Sequence, residues 1–144
     1  LVLSEECPLD MLIHLGDAEG SEHFIPDWVN PECRMEMVLG NNDFFSRLDR
    51  EREIDIAGHK AFITHGHYYG VSMGPEGLVD EAKSRGCDIA MYGHTHRPFL
   101  DVIDGVTVLN PGSLSYPRQE GRRPSYMIIH VDADGKMDYQ QKYL

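Results

Sequence analysis

The chain has 144 residues, 41% hydrophobic and 26% charged, with a formal net charge of −11. This size and composition predict one folded domain, residues 1–144, with its own core. No apolar run approaches the roughly 18 residues of a membrane-spanning helix, and the acidic charge weighs against a long nucleic acid, which binds mainly through phosphate neutralisation.

The first seven residues, Leu1 to Cys7, read as the end of a helix stopped by Pro8. They do not have the charged-apolar-small pattern of a signal segment, and the expectation is that the protein begins upstream of Leu1. Asp10 to Leu15 is a short apolar strand running into Gly16-Asp17. Residues 18–33 are irregular, punctuated by Gly20, Pro26 and Pro31. Met35 to Leu39 reads as a second strand, ending in Gly40-Asn41-Asn42-Asp43. Phe44 to Arg50 is long enough for one helical turn. Glu53–Ala57 and Lys60–Thr64 flank Gly58-His59 as a hairpin, and the second strand leads into His65-Gly66-His67.

Pro75 to Arg85 is predicted as a helix, with Leu78, Val79 and Ala82 on one face and Gly86 after its end. Ile89 to Met91 is a buried strand, followed by Tyr92-Gly93-His94-Thr95-His96. Phe99–Ile103 and Val106–Asn110 flank Asp104-Gly105, the strongest short hairpin signal in the chain. Asn110-Pro111-Gly112-Ser113 is a turn, and 114–124 is a Pro/Arg/Gly-rich loop. Ser125–Val131 and Lys136–Tyr143 form a last hairpin around Asp134-Gly135. Helix and strand mixed in the front half, with hairpins behind, predict a layered α/β protein with a large mixed sheet or two stacked sheets. The apolar strands lack clean alternation, which fits burial on both faces.

Four of these strands end in polar residues beside a glycine: Gly16-Asp17, Gly40-Asn41, His65-Gly66 and Gly93-His94-Thr95-His96. Each piece alone also reads as an ordinary turn or a pair of solvated histidines. Together they place a carboxylate, an amide oxygen and three imidazoles at strand ends, where ligands of layered α/β folds gather. If the segment Gly93 to His96 is extended, His94 and His96 point to the same side. Mixed oxygen and nitrogen donors suit a borderline divalent ion: manganese, iron, cobalt, nickel or zinc. Such an ion gives an acidic protein a local cation for a small phosphate ester.

The series Gly-Asp, Gly-Asn-x-Asp, Thr-His-Gly-His, Gly-His-Thr-His and Asn-Pro-Gly-Ser, from Leu12 to Ser113, resembles the calcineurin-like metallophosphoesterases, and most closely the YfcE-like phosphodiesterase branch. The resemblance implies a four-layer αββα sandwich with a dinuclear metal centre between strand-end loops. It implies Asp17 as a bridging carboxylate, Asn41, His65 and His94 as further ligands of one ion, and His96 as a ligand of the second. The family's Asp-x-His, which completes the second ion, would fall upstream of Leu1, as would the first strand. Asn42 stands where many relatives carry a histidine, and an amide is no general acid near neutrality. His67 is the nearest substitute, with a hydrogen bond supporting a ligand residue, or a pocket-lining role, as its alternative. Asn41 and His67 are therefore the catalytic candidates, and Asp43 is expected to orient its neighbours.

The implied activity is metal-dependent hydrolysis of a small phosphodiester by an activated water, with two divalent ions, manganese first among them. The rival is a non-catalytic scaffold of the same fold, similar to the retromer subunit; a DNA nuclease is disfavoured by the charge. Arg118, Arg122 and Arg123 form the one basic cluster, with Arg118 placed to bind a substrate phosphate and a solvated loop as its alternative. Trp28, Tyr68, Tyr69 and Tyr116 are candidate pocket aromatics, with core or interface positions as the alternative. His14, His23, His59 and His130 are read as structural or solvated. Cys7, Cys33 and Cys87 show no Cys-x-x-Cys spacing, which suggests unpaired thiols in a cytoplasmic protein. The apolar hairpins offer a surface for a homodimer.

Overall fold

A computed structural model of the chain describes residues 8–16, 32–41, 48–113 and 123–144. The expectations for Leu1–Cys7, Asp17, His23, Trp28, Asn42, Asp43, Tyr116, Arg118 and Arg122 lie outside the described residues.

The strands are β1 (Met11–His14), β2 (Arg34–Met37), β3 (Glu51–Ile56), β4 (His59–Thr64), β5 (Ile89–Met91), β6 (Phe99–Ile103), β7 (Val106–Asn110), β8 (Ser125–Val131) and β9 (Met137–Tyr143). One α-helix among the described residues, α1 (Glu76–Ser84), separates β4 from β5. The central sheet has the order β3-β4-β5-β7-β6. Its middle strands β4, β5 and β7 are parallel, and the edges β3 and β6 run antiparallel to their neighbours. β1 and β2 form a parallel pair, and β8 with β9 an antiparallel one.

The register explains the uninterrupted apolar runs. Phe62, Ala90 and Val108 are paired across β4, β5 and β7 and join one core with Leu78, Val79 and Ala82 of α1. Ala61, Ile63, Ile89, Met91 and Leu109 belong to a second core on the opposite face. That core is covered by Met11 and Ile13 of β1, Met127 and Ile129 of β8, and Met137 and Tyr139 of β9. Both faces of the middle strands are thus dry, as a parallel sheet requires. Burying a Leu or Phe side chain completely stabilises by about 1.5–3 kcal/mol, and Leu78 and Phe62 are both fully buried. The described residues therefore show helix, sheet and a further strand layer, three of the four layers expected.

Helix α1 stops where its sequence says it should. Pro75 sits at the N-cap, and Arg85 at the C-cap is followed by Gly86 at φ 71. Several strand boundaries differ from expectation by one or two residues. β2 covers Arg34–Met37 rather than Met35–Leu39, because only the first four residues pair with β1; Val38 N–H still reaches the His14 carbonyl at 3.1 Å. The β3–β4 turn is centred on Ala57 (φ 51) and Gly58 (φ 87), and His59 is already the first residue of β4. Two consecutive positive φ values match the right-handed twist of the flanking strands.

Candidate metal centre

Parallel pairing dictates where the polar residues meet. β1 and β2 run together, so Leu15-Gly16 and Val38 to Asn41 leave at one end. β4 and β5 also run together, so His65 and Tyr92-Gly93-His94 leave at one end. Two hydrogen bonds lock these ends: Gly93 N–H donates to the His65 carbonyl at 3.1 Å, and His65 Nδ1 donates to the Leu15 carbonyl at 2.7 Å. The second joins the β1–β2 pair to the central sheet.

His65 is 1% exposed, yet it is a polar residue. Its Nδ1 faces a carbonyl, which can only accept, so the proton is on Nδ1 and Nε2 carries a bare lone pair. That lone pair faces Asn41 Oδ1 at 2.9 Å and His94 Nδ1 at 3.2 Å. Asn41 Oδ1 and His94 Nδ1 are also 3.2 Å apart. Three donor atoms thus form a nearly equilateral triangle. Two of them, Nε2 and the amide oxygen, are acceptors facing one another, and a cation between them turns a repulsive contact into coordination. Among the described residues no three His, Cys, Asp or Glu side chains are placed to hold one metal ion by themselves; the third donor here is the amide oxygen of Asn41.

Glycines make room for this arrangement. A Cβ on Gly16, which has φ 105, would lie 2.4 Å from His65 Nδ1; on Gly93 it would lie 3.0 Å from the Leu15 carbonyl oxygen. Glycine is therefore required at these strand ends by the protein's own imidazole and carbonyl.

The extended geometry expected for His94-Thr95-His96 is not what forms. His94 has φ 51 and His96 has φ 60, and Thr95 N–H folds back to the Gly93 carbonyl at 2.6 Å. Left-handed backbone is uncommon for a residue with a side chain and costs about 1–3 kcal/mol, so it persists only where surrounding contacts enforce it. Asn110 supplies that enforcement. It is fully buried, donates through Nδ2 to the Gly93 carbonyl at 2.8 Å and to Thr95 Oγ1 at 3.0 Å, and accepts from Gly112 N–H at 2.9 Å. Asn110 ends the strand Val106–Asn110 and opens the Asn-Pro-Gly-Ser turn, as the sequence predicts, and this place at the end of an apolar strand, like the other polar strand ends, marks it for such a role.

The described site residues are not equally close. Asn41, His65 and His94 meet; His96 is half-buried two residues beyond, and the triangle forms without it. His67 opens a 3-10 turn, His67–Tyr69, after Gly66 at φ 104. Its ring centre lies 5.4 Å from that of His65 and 6.0 Å from that of His94, at the edge of the cluster. Arg123 lies over the Tyr143 ring at 5.3 Å, away from the cluster on the β8–β9 unit. His59, expected to be solvated, contacts Asp88 and the Gly135 carbonyl.

The sequence profile of the calcineurin-like phosphoesterase superfamily domain matches residues 2–134. The chain belongs to this superfamily. Its relatives include the probable metallophosphoesterase YsnB of Bacillus subtilis, 30% identical over 129 residues, which cover 90% of this chain and 73% of that protein. A phosphodiesterase of Methanocaldococcus jannaschii is 32% identical over 118 residues, covering 72% of this chain and 67% of its own. Vps29 of Entamoeba histolytica in complex with zinc shares the fold, with a TM-score of 0.73 at 21% identity over 94% of this chain and 82% of that one. Membership implies a phosphoesterase that uses divalent metal ions. The Asn41–His65–His94 donor set fits such an ion, since two imidazoles and an amide oxygen suit a borderline divalent cation. No described helix is long and apolar enough to cross a membrane.

Proposed function

We propose that this calcineurin-like phosphoesterase hydrolyses small phosphodiesters, with Asn41, His65 and His94 as ligands of one divalent ion, His96 as a ligand of a second, and Asp17 as a carboxylate shared between them. The observation that supports this most directly is the Nε2 of His65, left unprotonated by the Nδ1 bond to the Leu15 carbonyl at 2.7 Å and aimed at Asn41 and His94. When bound, the ions polarise the phosphoryl oxygens and lower the pKa of a water molecule toward neutrality.

The chain's own side chains do the rest. Leu15 keeps the His65 proton on Nδ1, away from the ligand side. Asn110 holds the His94 loop, so His94 needs no reorganisation during turnover. As the bond from phosphorus to the leaving oxygen breaks, that oxygen takes a proton from the His67 imidazole. Asn42 has no proton to give in this role; it and Asp43 orient the substrate, and Arg118 binds a phosphate oxygen. Manganese is the first choice of metal, and the buried thiol of Cys87 fits a cytoplasmic location.

The test is hydrolysis of bis(4-nitrophenyl) phosphate by the chelated protein, before and after adding Mn²⁺, with calorimetric titration of the metal in parallel. The expected result is metal-dependent turnover, with His65→Ala reducing both metal affinity and kcat/KM at least about 100-fold. Tight metal binding without turnover of any diester would instead favour the non-catalytic scaffold. An absence of metal binding would overturn both readings.

A further inference from the structure

Beside the histidine cluster lies an open pocket of about 480 Å³, lined by Asp49, Arg50, Glu51, Tyr68 and Tyr69, a volume within the range of ligand sites. Its place follows from the β3–β4 register: Glu51 pairs with Thr64, so the start of β3 lies beside the end of β4 and the His65-Gly66-His67 segment. The His67 ring, next to His65 and His94, is only 4.3 Å centre to centre from the Tyr68 ring. Tyr68 is 61% exposed, although it is a large aromatic. The Arg50 guanidinium lies over it at 4.6 Å.

The charged groups around the pocket are unequally committed. Glu51 accepts from the Tyr69 hydroxyl and pairs with Arg85 at 2.5 Å. Tyr69 is held in that contact, its phenol pushed up to about 12 by burial and the neighbouring carboxylate. Arg50 makes no ion pair with a described carboxylate, and its flat guanidinium lies against the Tyr68 ring. Tyr68 and Arg50 together form an uncommitted planar platform one ring beyond the cluster, and stacking is what planar platforms offer. The carboxylates of Asp49 and Glu51 at the rim oppose a second phosphate there.

We propose that this pocket is the subsite for the leaving arm of the diester, and that the arm it selects is a flat, uncharged aromatic ring stacked on Tyr68 and Arg50. It rests on the phosphodiesterase reading above. The leaving oxygen then sits at His67, with its ring reaching past that imidazole into the pocket.

The test separates ring recognition from leaving-group chemistry. Inhibition constants for phenylphosphonate and methylphosphonate are measured on the Mn²⁺-loaded protein and on Tyr68→Ala, Tyr68→Phe and Arg50→Ala. The expected result is phenyl preferred over methyl about tenfold in the parent and in Tyr68→Phe, as one stacking contact provides. The preference falls to near unity in Tyr68→Ala and partway in Arg50→Ala. If the protein turns over no diester, the two phosphonates are titrated by calorimetry instead, so the subsite is tested apart from the activity. Equal affinity for both phosphonates in the parent, binding of neither, or an undiminished preference in Tyr68→Ala would each overturn the proposal.

Discussion

The two ends of the central sheet use the same unusual backbone for different reasons. At the end away from the histidines, Ala57, Gly58, Asp104 and Gly105 take positive φ in the hairpin turns. A side chain added at Gly58 or Gly105 would meet nothing within 4 Å. At the histidine end, Gly16, Gly66, His94, His96 and Gly112 also have positive φ. There an added Cβ would lie 2.4 Å from His65 Nδ1 at Gly16, 2.9 Å from Val71 at Gly66 and 2.0 Å from Ser125 Oγ at Gly112. One end uses the left-handed region only to turn the chain. The other uses it to bring polar groups closer than any side chain would allow, and accepts the strain of two histidines to do so.

Gly16→Ala should break this contrast most severely. The methyl group collides with the ring that the Leu15 carbonyl fixes, so His65 must rotate or the β1 end must move. A loss of about 2–4 kcal/mol in urea unfolding is expected, together with at least a 100-fold fall in metal-dependent turnover and a weakened metal affinity. Unchanged metal affinity in Gly16→Ala would show that the close approach to His65 is incidental. Gly58→Ala is the matched control. It incurs only the backbone cost of φ 87, about 1–2 kcal/mol, and should leave metal affinity and kcat/KM unchanged when assayed below its melting temperature. If Gly58→Ala disturbed the metal site as Gly16→Ala does, the two ends would not be independent.

What the sequence reveals divides along the same line. The turn end is legible because its determinants are local: Asp104-Gly105 and Asp134-Gly135 announce hairpins, and Pro75 and Gly86 bracket a helix. Even there, the β3–β4 turn is one residue off, because Ala57 adopts positive φ without being a glycine or asparagine. At the histidine end, the residue types and their strand-end placement are visible, and so is the family they resemble. The conformation is not. His94-Thr95-His96 reads as extended by residue type, and it bends because Asn110, far along the chain, captures the Gly93 carbonyl and the Thr95 hydroxyl. The tautomer of His65 depends in the same way on a carbonyl 50 residues earlier. Contacts of that range leave no periodicity or local composition to read.

The smallest expected effect concerns a pH-dependent tie at the turn end, which His59 makes. Its Nδ1 lies 2.8 Å from Asp88 Oδ2 and its Nε2 lies 3.2 Å from the Gly135 carbonyl, so it links the start of β4 to the loop before β5 and to the β8–β9 turn. Both partners accept, so the neutral ring can donate to only one of them and the imidazolium to both. The bond to Asp88, helped by the Gly135 carbonyl and the charge of Asp55, raises the His59 pKa above its ordinary value of 6.5. A histidine raised on folding stabilises fully below its unfolded pKa, and loses that contribution as pH climbs through the folded one. Asp88→Asn should therefore lower the melting temperature slightly between about pH 5 and 6.5 and leave it unchanged above about pH 8. The site end should not feel the substitution, and metal affinity should be the same in both proteins across this range. A deficit that persists undiminished at pH 8 would mean that Asp88 acts through something other than the His59 proton, and the tie between the layers would have to be sought elsewhere.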